Sequence, residues 1–235
     1  MSTFSFKYFT IKQEVAAVKV GTDAMLLGAF TNVSDVKNVL EIGTGTGVIS
    51  LMLAQKNPTL QIVALEIHTE TATEAAYNVA NSNYFNRIKI QNQDFLNLVD
   101  IDKFDVVVTN PPYFECGVFP EDPKLQIAKH IDKARIEEWF CKISTVLHEA
   151  GSCWMILPFH SSNEWIELAN KNGLFLEQRI NLYAKPTICK RVILSFSTIS
   201  KNIVQRDFLI REARGDYSLE YIELTKDFHD RIPIR

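Results

Sequence analysis

Asn110-Pro111-Pro112-Tyr113 brings together residue types that can grip an amine on a flat ring. Asn110 supplies a side-chain carbonyl, Pro111 a backbone carbonyl on a residue without an N–H, and Tyr113 an aromatic face. Two such oxygens can each accept one hydrogen of an exocyclic amine while the tyrosine stacks on the base that carries it. That nitrogen is a weak nucleophile, because its lone pair is delocalised into the ring. Paired acceptors draw it towards a pyramidal geometry and turn the lone pair outwards, so displacement at an electrophilic carbon needs mainly alignment. No general base is required beforehand, since the attacking amine is neutral. A Pro-Pro pair that merely ends a strand accounts for the same residues, and their surroundings decide between the two.

Phe104-Asp-Val-Val-Val-Thr109, just before the quartet, is a β-branched run apolar on both faces, as buried parallel strands are. Proline after Asn110 stops the ladder and holds that residue extended at the strand's carboxyl end. Upstream, residues 37–42 read as the first buried strand, followed by Gly43-Thr-Gly-Thr-Gly47 and at once by a helix over 48–55. Strand, glycine turn and helix make the first half of a nucleotide-binding unit, where missing Cβ atoms let the backbone approach a ligand. Val48 stands where a dinucleotide fingerprint has its third glycine, a departure from NAD and FAD binders. A second strand over 60–66 ends in Glu66, placed to accept from both ribose hydroxyls; an acid opening the next helix is the structural alternative. A helix over 69–83 and a third strand over 87–91 lead to Asp94 and Phe95. Asp94 can accept from an adenine amine with Phe95 against the ring, or can simply cap the following turn. In a doubly wound sheet the first and fourth strands are neighbours, about 4.8 Å apart, so the glycine loop and residues 110–113 share one crevice within about 10 Å. One side then takes an adenosine-like cofactor, the other an amine-bearing base.

Residues 4–13 alternate as a strand or arm, with Phe4, Phe6 and Tyr8 on one side and Lys7 and Lys12 nearby; packing over the domain edge is expected of it, with stacking on bases the alternative. Lys19-Val-Gly-Thr-Asp23 opens a helix to about residue 30, with Thr22 or Asp23 as its N-cap. Beyond the quartet comes a long loop over 115–129, then a helix over 132–148 whose stripe (Ile136, Phe140, Ile143, Val146, Leu147) belongs to the core along with Trp139. Next come a strand over 151–158, a helix over 161–172 opened by a capping box, and an antiparallel closing hairpin over 174–183 and 191–197. The tail, 216–231, reads as one amphipathic helix. The expectation is a single domain over 1–235: an arm and helix (1–33), a catalytic sheet core (34–200) and a C-terminal helical extension (201–235).

Composition narrows the partners. A hydrophobic share of 46% and a charged share of 23% over 235 residues are ordinary for a globular protein with a sizeable core. No apolar run reaches spanning length and the first thirty or so residues lack a signal-peptide core, so no membrane partner is expected. Cys116, Cys141, Cys153 and Cys189 are scattered without a Cys-x-x-Cys, which points to a reduced, cytoplasmic, metal-free protein. Net charge is −3, yet residues 185–214 hold seven basic side chains against two acids, +5 (7 − 2), leaving −8 (18 − 26) elsewhere. A basic face on an acidic body suits phosphate contact, and is equally what a solvated edge looks like.

With these residues in hand, Glu41-Ile-Gly-Thr-Gly-Thr-Gly47, Glu66, Asp94 and Asn110-Pro-Pro-Tyr113 resemble, in order and spacing, a class I S-adenosylmethionine-dependent methyltransferase. Phe9-Thr-Ile, Lys19-Val-Gly-Thr-Asp23, Tyr113-Phe114 and Tyr217-Ser-x-x-Tyr221-x-x-Leu224-Thr-x-Asp-Phe228 extend the resemblance to the bacterial family that N6-methylates adenosine 37 of valine tRNA. The resemblance implies an α/β, doubly wound Rossmann-like fold with a seven-stranded, mostly parallel sheet whose last strand is antiparallel, and a target adenine turned out of its stack. It implies S-adenosyl-L-methionine held by Lys19, Gly21, Thr22, Glu41, Gly43, Gly45, Gly47, Glu66, Ile67, Asp94, Phe95 and Asn110, with catalysis at Asn110, Pro111, Pro112 and Tyr113. Its RNA would meet Lys129, His130, Lys185, Lys190, Arg191, Arg206 and Arg211, and the protein would act as a monomer. Relatives tend to have Ala-Arg-His where this chain has Ala128-Lys-His130, which loses the arginine fork for phosphate. Rival readings are an N5-glutamine protein methyltransferase, which uses the same quartet on an amide, adenine methylation of another RNA or of DNA, a nucleotide-binding oxidoreductase, and a non-catalytic RNA binder on an old enzyme fold.

Overall fold

Alternation along the valine run decides where the core sits. In the computed structural model, which describes residues 2–99, 102–111 and 133–230, Val106 and Val108 face one side of a sheet and Val107 the other, all three buried. Two short strands, β1 (Thr3–Ser5) and β2 (Thr10–Lys12), form an antiparallel hairpin. The main sheet comprises β3 (Asn38–Ile42), β4 (Gln61–Glu66), β5 (Ile88–Asn92), β6 (Phe104–Thr109), β7 (Leu147–Pro158), β8 (Phe175–Lys185), β9 (Ile188–Ser197) and β10 (Val204–Leu209). Their order is β10-β8-β9-β7-β6-β3-β4-β5. Every neighbouring pair is parallel except those of β9, which runs against β7 and β8.

Helices cover both faces, as a parallel sheet requires. The helices in chain order are α1 (Thr22–Phe30), α2 (Val48–Lys56), α3 (Thr69–Ala80), α4 (Lys133–Val146), α5 (Ser162–Lys171) and α6 (Leu219–Thr225). One face carries Leu26 and Leu27 of α1, Ile49, Leu51 and Leu53 of α2, and the aromatic rings Phe6, Phe9 and Phe228. The other carries Phe140 and Ile143 of α4 with Trp165 and Leu168 of α5. Residues 48–54 of α2 are all buried, so that helix needs no polar stripe. Its last residue, Lys56, donates to the carbonyls of Gly28, Ala29 and Thr31 at 3.2, 2.7 and 2.5 Å, closing the end of α1. Among the described residues no helix is long and apolar enough to cross a membrane.

Three expectations are corrected. Among the described residues the sheet has eight strands, not seven, because β10 adds in parallel beyond β8, within the stretch expected to be a helical extension. Edge position explains why it was not recognised: residues 204–207 are exposed and only Phe208 turns inward, meeting Phe30 edge-on at 5.0 Å. The tail helix spans Leu219–Thr225 rather than 216–231. It starts where the Ser218 side chain accepts from the Tyr221 N–H at 3.0 Å, and the chain then turns so that buried Phe228 and the Lys7 N–H→Phe228 carbonyl bond (2.9 Å) can tie tail to hairpin. The capping box expected at α5 is not formed, since Ser161 makes no side-chain cap bond there. The antiparallel closing hairpin, the packing of the N-terminal arm over the domain edge, and the burial of the α4 stripe are as expected.

Ser218→Ala should cost about 1 kcal/mol, read as a lower urea midpoint at unchanged slope. An unmoved midpoint would show that the tail is held by packing alone.

Candidate active site

Strand β3 ends at Ile42, and the chain then turns through Gly43, Gly45 and Gly47 at φ of 71°, 56° and 83°. Non-glycine residues rarely hold these values. A Cβ built on Gly43 or Gly45 would meet nothing within 4 Å, so the loop borders open space. Gly47 instead lies against α3, where a Cβ built on it would stand 3.7 Å from the Ala75 carbonyl oxygen. The loop is pinned to the neighbouring strand tip: the Thr44 N–H donates to the Leu65 carbonyl (2.9 Å) and the Gly45 N–H to Glu66 Oε2 (3.0 Å). Glu66 Oε1 accepts from the His68 N–H (3.0 Å), which orients the carboxylate at the end of β4. Ile67, next along, is exposed.

Beneath the loop Glu41 is 1% exposed. Its Oε2 accepts from the Thr44 hydroxyl (2.7 Å), the Ser50 N–H (3.0 Å) and the Ser50 hydroxyl, while Oε1 is buried without a hydrogen-bond partner. Burial drives its carboxyl up to about 7, against the pull of the Ser50 and Thr44 hydrogen bonds.

On the other side of β3 stands β6, in register with Ile42 opposite Thr109. The Thr109 hydroxyl donates to the Ile42 carbonyl at 3.0 Å, locking the two tips together. The next residues are Gly43 on one strand and Asn110 on the other, Asn110 half-buried and Pro111 buried. The two strand tips expected to adjoin therefore do so. Pro112, Tyr113, Lys129 and His130 lie outside the described residues.

Asp94 takes the capping role that was its alternative, accepting from the Leu96 N–H (3.0 Å) while Arg135 of α4 donates to its other oxygen at 2.8 Å. The expectation for Phe95 is corrected. Its ring is 2% exposed and packs edge-on to Trp139 at 6.2 Å, because the turn after β5 sends it into the α4 face instead of towards the crevice. At α1 the N-cap is Gly21, with no side-chain cap bond, not Thr22 or Asp23. The Asp23 carboxylate is drawn instead to Arg191, at 3.0 Å. Lys19, Gly21 and Thr22 are exposed on the approach to that helix.

Two residues that sequence reasoning missed organise this approach. Glu74, 4% exposed on α3, accepts from the N–H groups of Glu14 (2.7 Å), Val15 (3.0 Å) and Ala16 (3.1 Å). One turn later Asn78 accepts from the Lys12 N–H and donates to the carbonyls of Lys12 and Thr46, at 2.8, 2.9 and 2.9 Å. The Gln13 side chain then accepts from the Val20 N–H at 2.8 Å, bringing the strand to Gly21. The strap over 12–21 and the glycine loop thus hang from one face of α3. Two polar residues four apart, interrupting an apolar stripe (Ala75, Val79), were the signal that could have found them.

Strand polarity sorts the basic residues. Lys185 ends β8 and Lys190 and Arg191 lie near the start of antiparallel β9, so all three sit at the sheet end that carries Gly43 and Asn110. Arg211 comes after β10 at that same end, with its guanidinium on the Gly215 carbonyl (2.6 Å) and over Tyr217 (3.8 Å). Arg206, within β10, lies 4.9 Å over Phe30. Lys201, at the far end, pairs with Glu177 at 2.8 Å.

A family model described as the methyltransferase small domain matches residues 16–167. A protein of Bacteroides thetaiotaomicron named tRNA1(Val) (adenine(37)-N6)-methyltransferase is 37% identical over 228 residues, 96% of this chain and 96% of its own length. One of the same name from a Flavobacteriaceae bacterium is 36% identical over 233 residues, covering 98% and 99%. The chain belongs to this methyltransferase family. A solved structure of a predicted O-methyltransferase from Agrobacterium tumefaciens shares the fold, with a TM-score of 0.66 over 88% of this chain and 96% of that one at 17% identity.

The donor of a class I methyltransferase fits these residues. The space over Gly43 and Gly45 is what a Cβ would invade, the Glu66 carboxylate stands at the adjoining tip, and Glu41 holds an unpartnered oxygen below. No cluster of His, Cys, Asp and Glu among the described residues could hold a metal.

Because the folded methyltransferase holds the Glu41 proton more tightly than an unfolded chain with the ordinary value of 4.5, stability falls as pH rises from about 4.5 to about 7. Glu41→Gln removes that proton, so the stability of wild type relative to the variant should drop on the order of 3 kcal/mol across this window. Denaturant titrations at a series of pH values measure it, and a flat difference rules out a perturbed Glu41.

Proposed function

We propose that this chain methylates N6 of an adenine in tRNA with S-adenosyl-L-methionine, and that the base is adenosine 37 of valine tRNA, the position in its relatives' names. The carrying observation is the register of Ile42 opposite Thr109, since it sets a donor loop and an amine-gripping pair on adjacent strand tips. When bound, S-adenosyl-L-methionine supplies an electrophilic methyl on a sulfonium. Everything else is the work of the chain. The Asn110 side-chain oxygen and the Pro111 carbonyl each accept one hydrogen of the exocyclic amine and direct its lone pair. Tyr113 stacks on the flipped base, and Pro112 keeps the turn extended before it. Glu66 accepts from the ribose hydroxyls, while Gly43, Gly45, Gly47, Gly21, Thr22 and Lys19 border the donor's remaining length and Ile67 its adenine. Glu41 steadies the loop from below through Thr44 and Ser50.

Lys185, Lys190, Arg191 and Arg211 give phosphates a landing at the crevice end of the sheet, and Lys129, His130 and Arg206 are the further basic residues assigned to RNA. The chain works as one domain and as a monomer, in the cytoplasm with its RNA.

Asn110→Ala should lower kcat by roughly 10²–10³-fold, the usual loss for one preorganised dipole, with donor affinity by calorimetry changing far less; near wild-type turnover removes Asn110 from catalysis. Glu66→Ala should weaken donor binding by roughly 10–100-fold, and unaltered affinity means that another group holds the ribose. The substrate itself is tested with total tRNA and labelled donor, followed by nucleoside mass spectrometry and mapping. N6-methyladenosine beside the valine anticodon supports the assignment, whereas label on protein points to glutamine and label elsewhere in RNA to a different site.

A further inference from the structure

We propose that the groove between the N-terminal hairpin and α3 is a second RNA subsite, one that stacks unpaired nucleotides of the substrate away from the base being methylated. It rests on the reading of tRNA as substrate and adds a site to it. The groove encloses about 590 Å³. Tyr8 projects from the hairpin wall and Tyr77 from the α3 wall, 53% and 55% exposed. Each ring carries an ammonium over it: Lys7 Nζ lies 5.5 Å from the Tyr8 centroid and Lys12 Nζ 5.4 Å from that of Tyr77.

A single exposed tyrosine needs no explanation. Two facing one groove, each with a cation, and with no carboxylate among the lining residues, have the composition that holds single-stranded nucleic acid: rings for base faces, lysines for phosphates. Asn81 and Asn83 add amides that can meet base edges or sugar. Glu14 reaches Lys12 at 3.0 Å, but the two side chains are about a third exposed and a phosphate can compete with the carboxylate for the ammonium.

The groove is built rather than incidental. Phe6 and Phe9 stack at 4.5 Å beneath the hairpin and are buried, so the exposed rings stand on a packed floor. Asn78 lines the groove and also bonds Lys12 and Thr46, which fixes the groove relative to the glycine loop. Bound nucleotides would therefore set the position of the RNA over the crevice.

The test is fluorescence anisotropy with labelled unmodified tRNA at fixed salt, alongside steady-state methylation. Tyr8→Ala with Tyr77→Ala should raise the Kd and KM for tRNA by roughly tenfold or more, leaving kcat at saturation, donor Kd and Tm unchanged. Tyr8→Phe with Tyr77→Phe keeps the stacking faces and should bind as wild type. Lys7→Glu, at a solvent-facing position, should weaken binding with no effect on packing. Lys7→Ala should flatten the dependence of log Kd on log salt by about one. A double-alanine variant that binds tRNA like wild type overturns the groove while leaving the methylation reading intact, and loss of binding in the phenylalanine variants overturns stacking. Wild-type protein that neither binds nor methylates tRNA overturns both.

Discussion

The pairing of β3 with β6 is the constraint on which the rest of the structure depends. Leu40 and Val107 serve the core on one face of the sheet, while Val39, Val106 and Val108 serve the core on the other. Sliding one strand by a residue would exchange those sets and break both cores, so burial on two faces pins the register. The register in turn places Ile42 opposite Thr109, so that Gly43 and Asn110 follow on adjacent strand tips. Hydrophobic packing, which is indifferent to chemistry, thereby sets the separation between the glycine loop and Asn110-Pro111, the two parts of the proposed site.

A second layer of positioning is polar and buried. Glu74 takes three backbone N–H groups and Asn78 three further bonds, on one face of α3 otherwise committed to apolar contacts. A carboxylate so placed recovers in charge-assisted bonds what it loses in hydration, and it gives the strap fixed partners on α3. The same helix borders Gly47, so strap, loop and helix form one unit. Glu41 is the contrasting case. One of its oxygens accepts three hydrogen bonds and the other is buried without a partner, and burial outweighs hydrogen bonding and raises its proton affinity.

Charge depends on topology as much as on composition. A net charge of −3 says little about nucleic acid, but strand direction gathers Lys185, Lys190, Arg191 and Arg211 at the end of the sheet where the crevice opens. Lys201, midway along the chain between Arg191 and Arg211, is at the opposite end and is paired with Glu177. The far flank, with its lysine-capped tyrosines, offers a second place for RNA on the same rigid frame.

Sequence alone determined the features written in contiguous residues. A β-branched run is a buried strand, glycines at alternate positions are a turn open to a ligand, and proline after asparagine ends a ladder, because each results from local sterics and solvent exclusion. That was enough for the strand order around the crevice, for Glu66 at its tip and for the family to which the chain belongs. Tertiary structure alone decided what depends on residues far apart in the chain. Polar β10 is a strand only because β8 offers it an edge and Phe30 a contact for Phe208; Phe95 turns inward because α4 lies beside it; Asp23 leaves the cap of α1 because Arg191 is within reach. Glu74 and Asn78 read as ordinary helix-surface residues until the strap from more than fifty positions earlier is laid across them. Local pattern encodes conformation, whereas a partner is chosen only when folding brings distant groups within hydrogen-bonding range and removes the water between them.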